Sequence, residues 1–379
     1  MKNQNKKLKI LEITAFSSGI CGLWQRVLSE SKLLARKYDV TVFSSNIHRG
    51  TGKKEIAKKE EIIDKVKTRR FSTFFQFGEN TFFWNYEKQA LQLKPQVIIT
   101  HAYRQYYSTL ALKISRKLKI PCFLVTHAPF LDKKLRGWKE NLAVFLYDNL
   151  IGKRILNSYD KIIAITKWEI PHLLKLGVKK QKIVYIPNGI PKEFFTQKRI
   201  KEKKNTILFL GRIAPIKSIE TLIKAISELK NMKLNLIGPV EEPYGASLVK
   251  LIKKLKLNSK VKFLPAVYDL KEKIRLIDEN EIFVLPSKRE GMSQSLIEAL
   301  ARGKIAISST NNSGKEIIQN NKNGFLFDIG NHNQLSQIIK TIQNMPDKER
   351  NKIKNQALNS VKQFFWDKLI KKIEKTIKK

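Results

Sequence analysis

Four charged residues carry the spacing that chemistry at a diol and an anion requires. Glu290 and Glu298 lie eight residues apart in SKREGMSQSLIEALARG (287–303), and Arg212 and Lys217 flank the loop of FLGRIAPIK (209–217). A carboxylate accepts two hydroxyls at once, as a vicinal diol demands, and two cations beside free helix amides suit an anion such as a diphosphate. Ser293 is placed to cap a helix running through QSLIEALA to Gly303, which leaves Glu290 outside at its mouth. Glu298 then lies ~7.5 Å along the axis at 1.5 Å per residue. The two acids bracket a helix N-terminus, with room for a sugar at Glu290, a diphosphate over the amides of Met292, Ser293 and Gln294, and a ribose at Glu298. Without a ligand, Glu298 is a buried acid of the helix's early turns and the two cations are a solvated pair.

Each of these groups follows an apolar run that reads as a strand. The N-terminal half opens with KILEITAF, a Ser/Gly loop SSGICG, a helical pattern from Leu23 to about Lys37 and a second strand DVTVFSS, which is a βαβ unit. VIIT (97–100), CFLVT (122–126), KIIAIT (161–166) and KIVYIP (182–187) continue the alternation. The turn residues Pro187, Asn188 and Gly189 and the polar run 197–205 close that half. TILFL (206–210), KLNLIG (233–238), VKFLP (261–265), IFVLPS (282–287) and KIAISS (304–309) then repeat it. The fold class is α/β, two doubly wound Rossmann-like domains at 1–190 and 191–355, with a helical tail at 356–379 that carries Phe364, Phe365 and Trp366. Ligands of such sheets bind at the carboxyl ends of the strands.

The 379 residues suffice for two domains, and 42% hydrophobic residues with 9% aromatics exclude a disordered chain. No run approaches the ~20 apolar residues of a membrane-spanning helix, so the expected location is cytoplasmic. Cys21 and Cys122 are too few for a disulfide framework. The net charge of +41 divides as +22 over residues 1–190 and +19 over 191–379. That evenness reads as compositional bias rather than a nucleic-acid surface, although so basic a chain is drawn to anionic lipid headgroups. Basic residues (Lys65, Lys67, Arg69, Arg70) alternate with Phe71, Phe74, Phe75, Phe77, Phe82, Phe83 and Trp84 in segment 65–88, a pattern suited to an anionic membrane or a lipid-linked acceptor or, equally, to a core. RGTGKKE (49–55) departs from a phosphate loop at both its first glycine and its final hydroxyl position.

The ordered set Pro187-Asn188-Gly189, Gly211-Arg212 with Lys217, Glu290 with Glu298, and Asn323-Gly324 closely resembles the GT-B retaining glycosyltransferases of family 4. The resemblance covers nearly the whole chain, including a tail that in this family crosses back onto the first domain. It implies a metal-independent transfer of a sugar from a nucleoside-diphosphate sugar to a glycan, glycolipid or lipid-linked acceptor, with no cofactor. Arg212 and Lys217 would hold the donor diphosphate, Glu290 the transferred sugar and Glu298 the ribose, with Gly211, Gly291, Met292, Ser293 and Gln294 completing the donor site. Gly22 matches the family's glycine loop, with Cys21 in place of its companion, and His127 in LVTHAPF matches the active-site histidine, with His101 in IITHAYRQ the second choice. No Asp-x-Asp pair, the usual ligand of a diphosphate-bound metal, occurs in the sequence. Met292, Ser293 and Ser295 depart from the family's usual Glu-Gly-Phe-Gly run and its following proline, which leaves the sugar open. Two other readings compete: a nucleotide-sugar 2-epimerase on a similar scaffold, which needs acids and histidines in the first domain that are scarce after its strands, and a non-catalytic polyanion- or membrane-binding protein driven by charge.

Overall fold

The computed structural model describes residues 7–19, 21–48, 57–77, 81–130 and 136–378, so the RGTGKKE segment lies outside the described residues. The described chain divides into two compact units, one running to Asn188 and resuming at Trp366, the other Gly189–Phe365.

The first unit carries β1 (Lys9–Thr14), β2 (Asp39–Ser45), β3 (Glu60–Ile63), β4 (Val66–Phe71), β5 (Thr73–Phe77), β6 (Thr81–Trp84), β7 (Val97–His101), β8 (Cys122–Val125), β9 (Lys161–Ala164) and β10 (Ile183–Tyr185). Eight of these form one sheet in the order β10-β9-β8-β7-β1-β2-β4-β3, parallel except for β3 on β4. Strands β1, β7 and β8 read as nearly unbroken apolar runs because both faces are covered. The strand order reverses between β1 and β7, the place where open α/β sheets leave a crevice at their carboxyl ends.

The β3–β4 edge and the β5–β6 hairpin have no counterpart in the sequence reading, because charged and aromatic residues alternate there without a clean period. This segment splits its aromatics. Phe71, Phe82 and Trp84 enter the core, where Phe71 stacks on Trp84 with centroids 5.6 Å apart, whereas Phe74 and Phe75 are 66% and 55% exposed. Arg70 is also buried, held by Ser17 and by Glu61 at 2.7 Å.

The second unit holds β11 (Lys203–Leu210), β12 (Lys233–Ile237), β13 (Val261–Leu264), β14 (Asn280–Leu285), β15 (Ile305–Ser309) and β16 (Phe325–Phe327) in an all-parallel sheet, β13-β12-β11-β14-β15-β16, which reverses between β11 and β14. The helix Ile219–Ser227 shows why such elements pack: Ile219, Leu222, Ile223 and Ile226 recur at helical spacing and all are buried. Asn323 and Gly324 serve structure here. The Asn323 side chain bonds the backbone of Gln319 and Ile317, and a Cβ at Gly324 would stand 2.6 Å from the Ala306 carbonyl oxygen. No helix among the described residues is long and apolar enough to cross a membrane.

Candidate functional site

In the second unit, the loops after β11 and β14 emerge side by side at the reversal point. β11 ends at Leu210, and Gly211 passes so close to the end of β12 that a Cβ on Gly238 would lie 2.0 Å from the Gly211 carbonyl oxygen. Only glycine fits at 238, a requirement that the sequence reading missed. Pro215–Lys217 form a single tight turn, Ser218 takes a left-handed φ of 51°, and the helix begins at Ile219. The Lys288 amide donates to the Ile216 carbonyl at 2.9 Å, stitching the two loops together.

That stitch brings Lys217 to Glu290: Nζ to Oε1 is 2.5 Å, and Ser287 Oγ donates to the same oxygen at 2.7 Å. Glu290 lies ahead of the helix, in the loop at its mouth, and its side chain is only 12% exposed. A half-buried ammonium needs a counter-charge, and Glu290 is the carboxylate within reach. Arg212 likewise pairs with Glu241. Glu298, 5% exposed, faces Lys273, whose Nζ lies 2.6 Å from both carboxylate oxygens. Glu241 and Lys273 escaped the sequence reading because nothing in their neighbourhoods distinguishes them from other charged helix and loop residues.

The helix of this loop is Gln294–Ala301, and Ser293 caps it by accepting from the Leu296 amide at 3.4 Å. The Ser293 amide donates to Ser313 Oγ at 2.9 Å, so one of the three amides expected over a diphosphate is already bonded. Met292 and Ser293 are buried, and Gly291 and Gln294 are half-buried.

The first unit places Gly22 at the start of the helix Gly22–Leu34, exposed, with nothing within 4 Å of where a Cβ would sit. His127 follows β8 with a left-handed φ of 59° and is half-buried. Its Nε2 lies 3.0 Å from His101 Nδ1, and His101 Nε2 lies 3.1 Å from Glu12 Oε2. Ser31 Oγ donates to the other Glu12 oxygen at 2.8 Å. Glu12 stands inside the apolar run of β1 rather than after a strand, where placed acids were sought, and a lone acid in that run was the signal available in the sequence.

Burial governs these groups. It pushes Glu12 up to about 8 and Glu30 to about 7, against the Arg26 guanidinium, which lowers both. Burial holds the His101 imidazole down at about 3 and His127 well below the usual histidine range. Glu169, whose carboxylate takes Thr126 Oγ1 at 2.6 Å, rises to about 7 for the same reason.

Arg26 is itself wholly buried. Its Nε lies 3.3 Å from Glu30, its Nη1 donates to the carbonyls of Ile186 and Pro187 and to Asn188 Oδ1, and its guanidinium lies 5.6 Å over the Trp366 ring. Trp366 and Phe364 are buried, so these tail aromatics pack inside the protein. Donor atoms of Glu12, Glu30 and His101 lie within 4.8 Å of one another, and the cation beside them is Arg26.

Comparison with known proteins falls into line with these two sheets. Residues 21–194 match the family described as Glycosyltransferase Family 4, and residues 191–360 match Glycosyl transferases group 1. An uncharacterized glycosyltransferase of Methanocaldococcus jannaschii is 30% identical over 363 residues, covering 89% of each chain. A Campylobacter jejuni enzyme named as an α-1,4-N-acetyl-D-galactosaminyltransferase acting on a diphospho-undecaprenol-linked trisaccharide is 25% identical, covering 96% of this chain and 98% of its own. Anabaena HepE, crystallised with UDP and glucose, superposes with a TM-score of 0.75 over 98% of this chain and 99% of its own, at 16% identity.

Proposed function

The chain belongs to the group 1 glycosyl transferases of family 4, and from that premise we propose that it moves a sugar, with retention, from a nucleoside-diphosphate sugar to a lipid-linked or glycan acceptor without a metal. The observation that carries this reading is the Lys217–Glu290 pair at the reversal point of the second sheet. Breaking an anomeric bond leaves negative charge on the departing diphosphate, and fixed cations stabilise that charge as it develops. In this reading the diphosphate displaces Glu290 from Lys217 and Glu241 from Arg212. Glu290, freed of its ammonium, then accepts from sugar hydroxyls. Glu298 takes the ribose, and Gly22 and His127 serve the sugar and acceptor side.

The acceptor class is supported by the Campylobacter relative, whose name specifies a diphospho-undecaprenol-linked substrate. An apolar surface adds to it. Along the helical stretch 138–152, Trp138, Leu142, Phe145, Leu146 and Leu150 are exposed at near-helical spacing, beside Lys139 and Lys153. Such a face suits the headgroup layer of an anionic membrane, where a lipid-linked acceptor resides.

The test is transfer from UDP-, GDP- and ADP-sugars to a polyprenyl-diphosphate-linked sugar, with the anomeric configuration of product read by NMR. One donor family should be used, with retained configuration and an unchanged rate in excess chelator. Inverted product, or activity lost to EDTA and restored by Mg²⁺, contradicts it.

A further inference from the structure

The chain of contacts that begins in the middle of β1 ends at His127, and its proton arithmetic has a consequence. Both imidazoles are neutral, so each ring carries one N–H, and each of the two links needs one proton. Ser31 donates to Glu12 Oε1, which leaves Oε2 to face His101. If Glu12 is protonated, its O–H donates to His101 Nε2, His101 Nδ1–H donates to His127 Nε2, and the His127 proton must sit on Nδ1. If Glu12 is ionised, both links reverse, His127 donates through Nε2, and its Nδ1 is a bare acceptor. The two arrangements differ by one proton, which leaves through His127 Nδ1 while the two inner protons each hop one link outward.

We propose that Glu12 and His101 are positioning residues that fix the tautomer of His127 and so decide whether its outer ring nitrogen donates or accepts a hydrogen bond. The inference rests on His127 serving the sugar side in the reading above. The geometry carries it: three groups in line at 3.1 and 3.0 Å, two of them with no solvent exposure, on adjacent strands of the sheet's reversal point. The charged groups packed around the chain are Arg26 and Glu30 on the helix Gly22–Leu34, with Glu169 beyond Thr126. Arg26 favours the ionised Glu12, and burial outweighs it. The protonated form therefore prevails at neutral pH, and His127 presents Nδ1–H as a donor to a sugar or phosphate oxygen.

The full chain has five histidines, so ring nitrogens can be assigned one by one in a ¹⁵N-histidine sample by single substitutions. Long-range ¹H–¹⁵N spectra of wild type at pH 7 should show His127 protonated at Nδ1, and at pH 9.5 at Nε2. Glu12→Gln, whose amide still donates to His101, should keep Nδ1–H at both pH values and hold kcat within about 3-fold of wild type. Glu12→Ala should mix the tautomers and lower kcat on the order of 10-fold or more, with donor KM nearly unchanged, as tautomer errors do elsewhere. A wild-type His127 protonated at Nε2 at pH 7 would overturn the proposal, and that reading needs no variant to fold. Equal loss of kcat in both variants with an unchanged tautomer would also overturn it. Because the tautomer is read without turnover, it stands or falls separately from the transfer reaction.

Discussion

At the reversal point of the first sheet, Glu12 and His101 have no solvent exposure and sit in a neutral hydrogen-bonded chain, whereas at that of the second, Lys217 and Glu290 keep 18% and 12% of their side chains exposed and form an ion pair. The same topological place is thus used in two ways. Desolvation in the first unit makes charge too costly and leaves fixed hydrogen-bond directions. Partial exposure in the second keeps the charges, and an incoming anion can take the carboxylate's place on the same cation. A site that must hold a direction is buried, and a site that must trade one anion for another stays half open.

The widest test of that contrast is Glu290→Ala. It should lower transfer by roughly 10³-fold while changing nucleoside diphosphate affinity less than about 3-fold, since the sugar contact is lost and Lys217 is released. Initial rates and calorimetry separate the two, and a matching loss of affinity would reduce Glu290 to a partner of Lys217. Next in size, Lys217→Ala should cost about 100-fold in kcat/KM and Arg212→Ala about 10-fold in diphosphate affinity, the range of charge-assisted contacts. Glu241→Gln frees Arg212 from its carboxylate and should tighten diphosphate binding by about 3-fold. No change there would mean that the pair is not displaced on binding.

The smallest effect concerns the first unit. Glu12 rises from an ordinary 4.5 to about 8, so between those values the folded chain keeps a proton that the unfolded chain has released. Its contribution to stability is present below pH 4.5 and is lost as pH climbs through 8. Glu12→Gln lacks that loss, so its melting temperature relative to wild type should rise by on the order of 2–4 °C between pH 5.5 and 8.5. A difference that stays flat with pH would mean that Glu12 is ionised when buried.

Much of this was legible in the residues. Nearly unbroken apolar runs marked the central strands of both sheets, where both faces are covered, and Ser293, Gly211 and the Glu290/Glu298 spacing marked the second reversal point. Pairing was not legible: that Lys217 rests on Glu290 and Arg212 on Glu241 depends on loops that the Lys288–Ile216 stitch brings together. The helix Gly22–Leu34 ends three residues before the expected Lys37, where the pattern continues but the backbone turns. Glu12 was hidden by its own strand, since a period count scores it as one polar residue among apolar neighbours, while its role depends on His101, 89 positions away.

The central claim is that the half-exposed cations of the second unit are a nucleoside diphosphate site holding stand-in carboxylates. Thermal shift of wild type and Arg212→Ala with UDP, GDP and ADP at fixed salt tests it most directly, because a ligand at 100 times its Kd stabilises by ~2.7 kcal/mol. One base family should stabilise wild type, saturably, and stabilise Arg212→Ala much less. Equal stabilisation of both proteins by all three nucleotides, fading steeply with salt, would contradict it and return the chain's charge to non-specific polyanion binding.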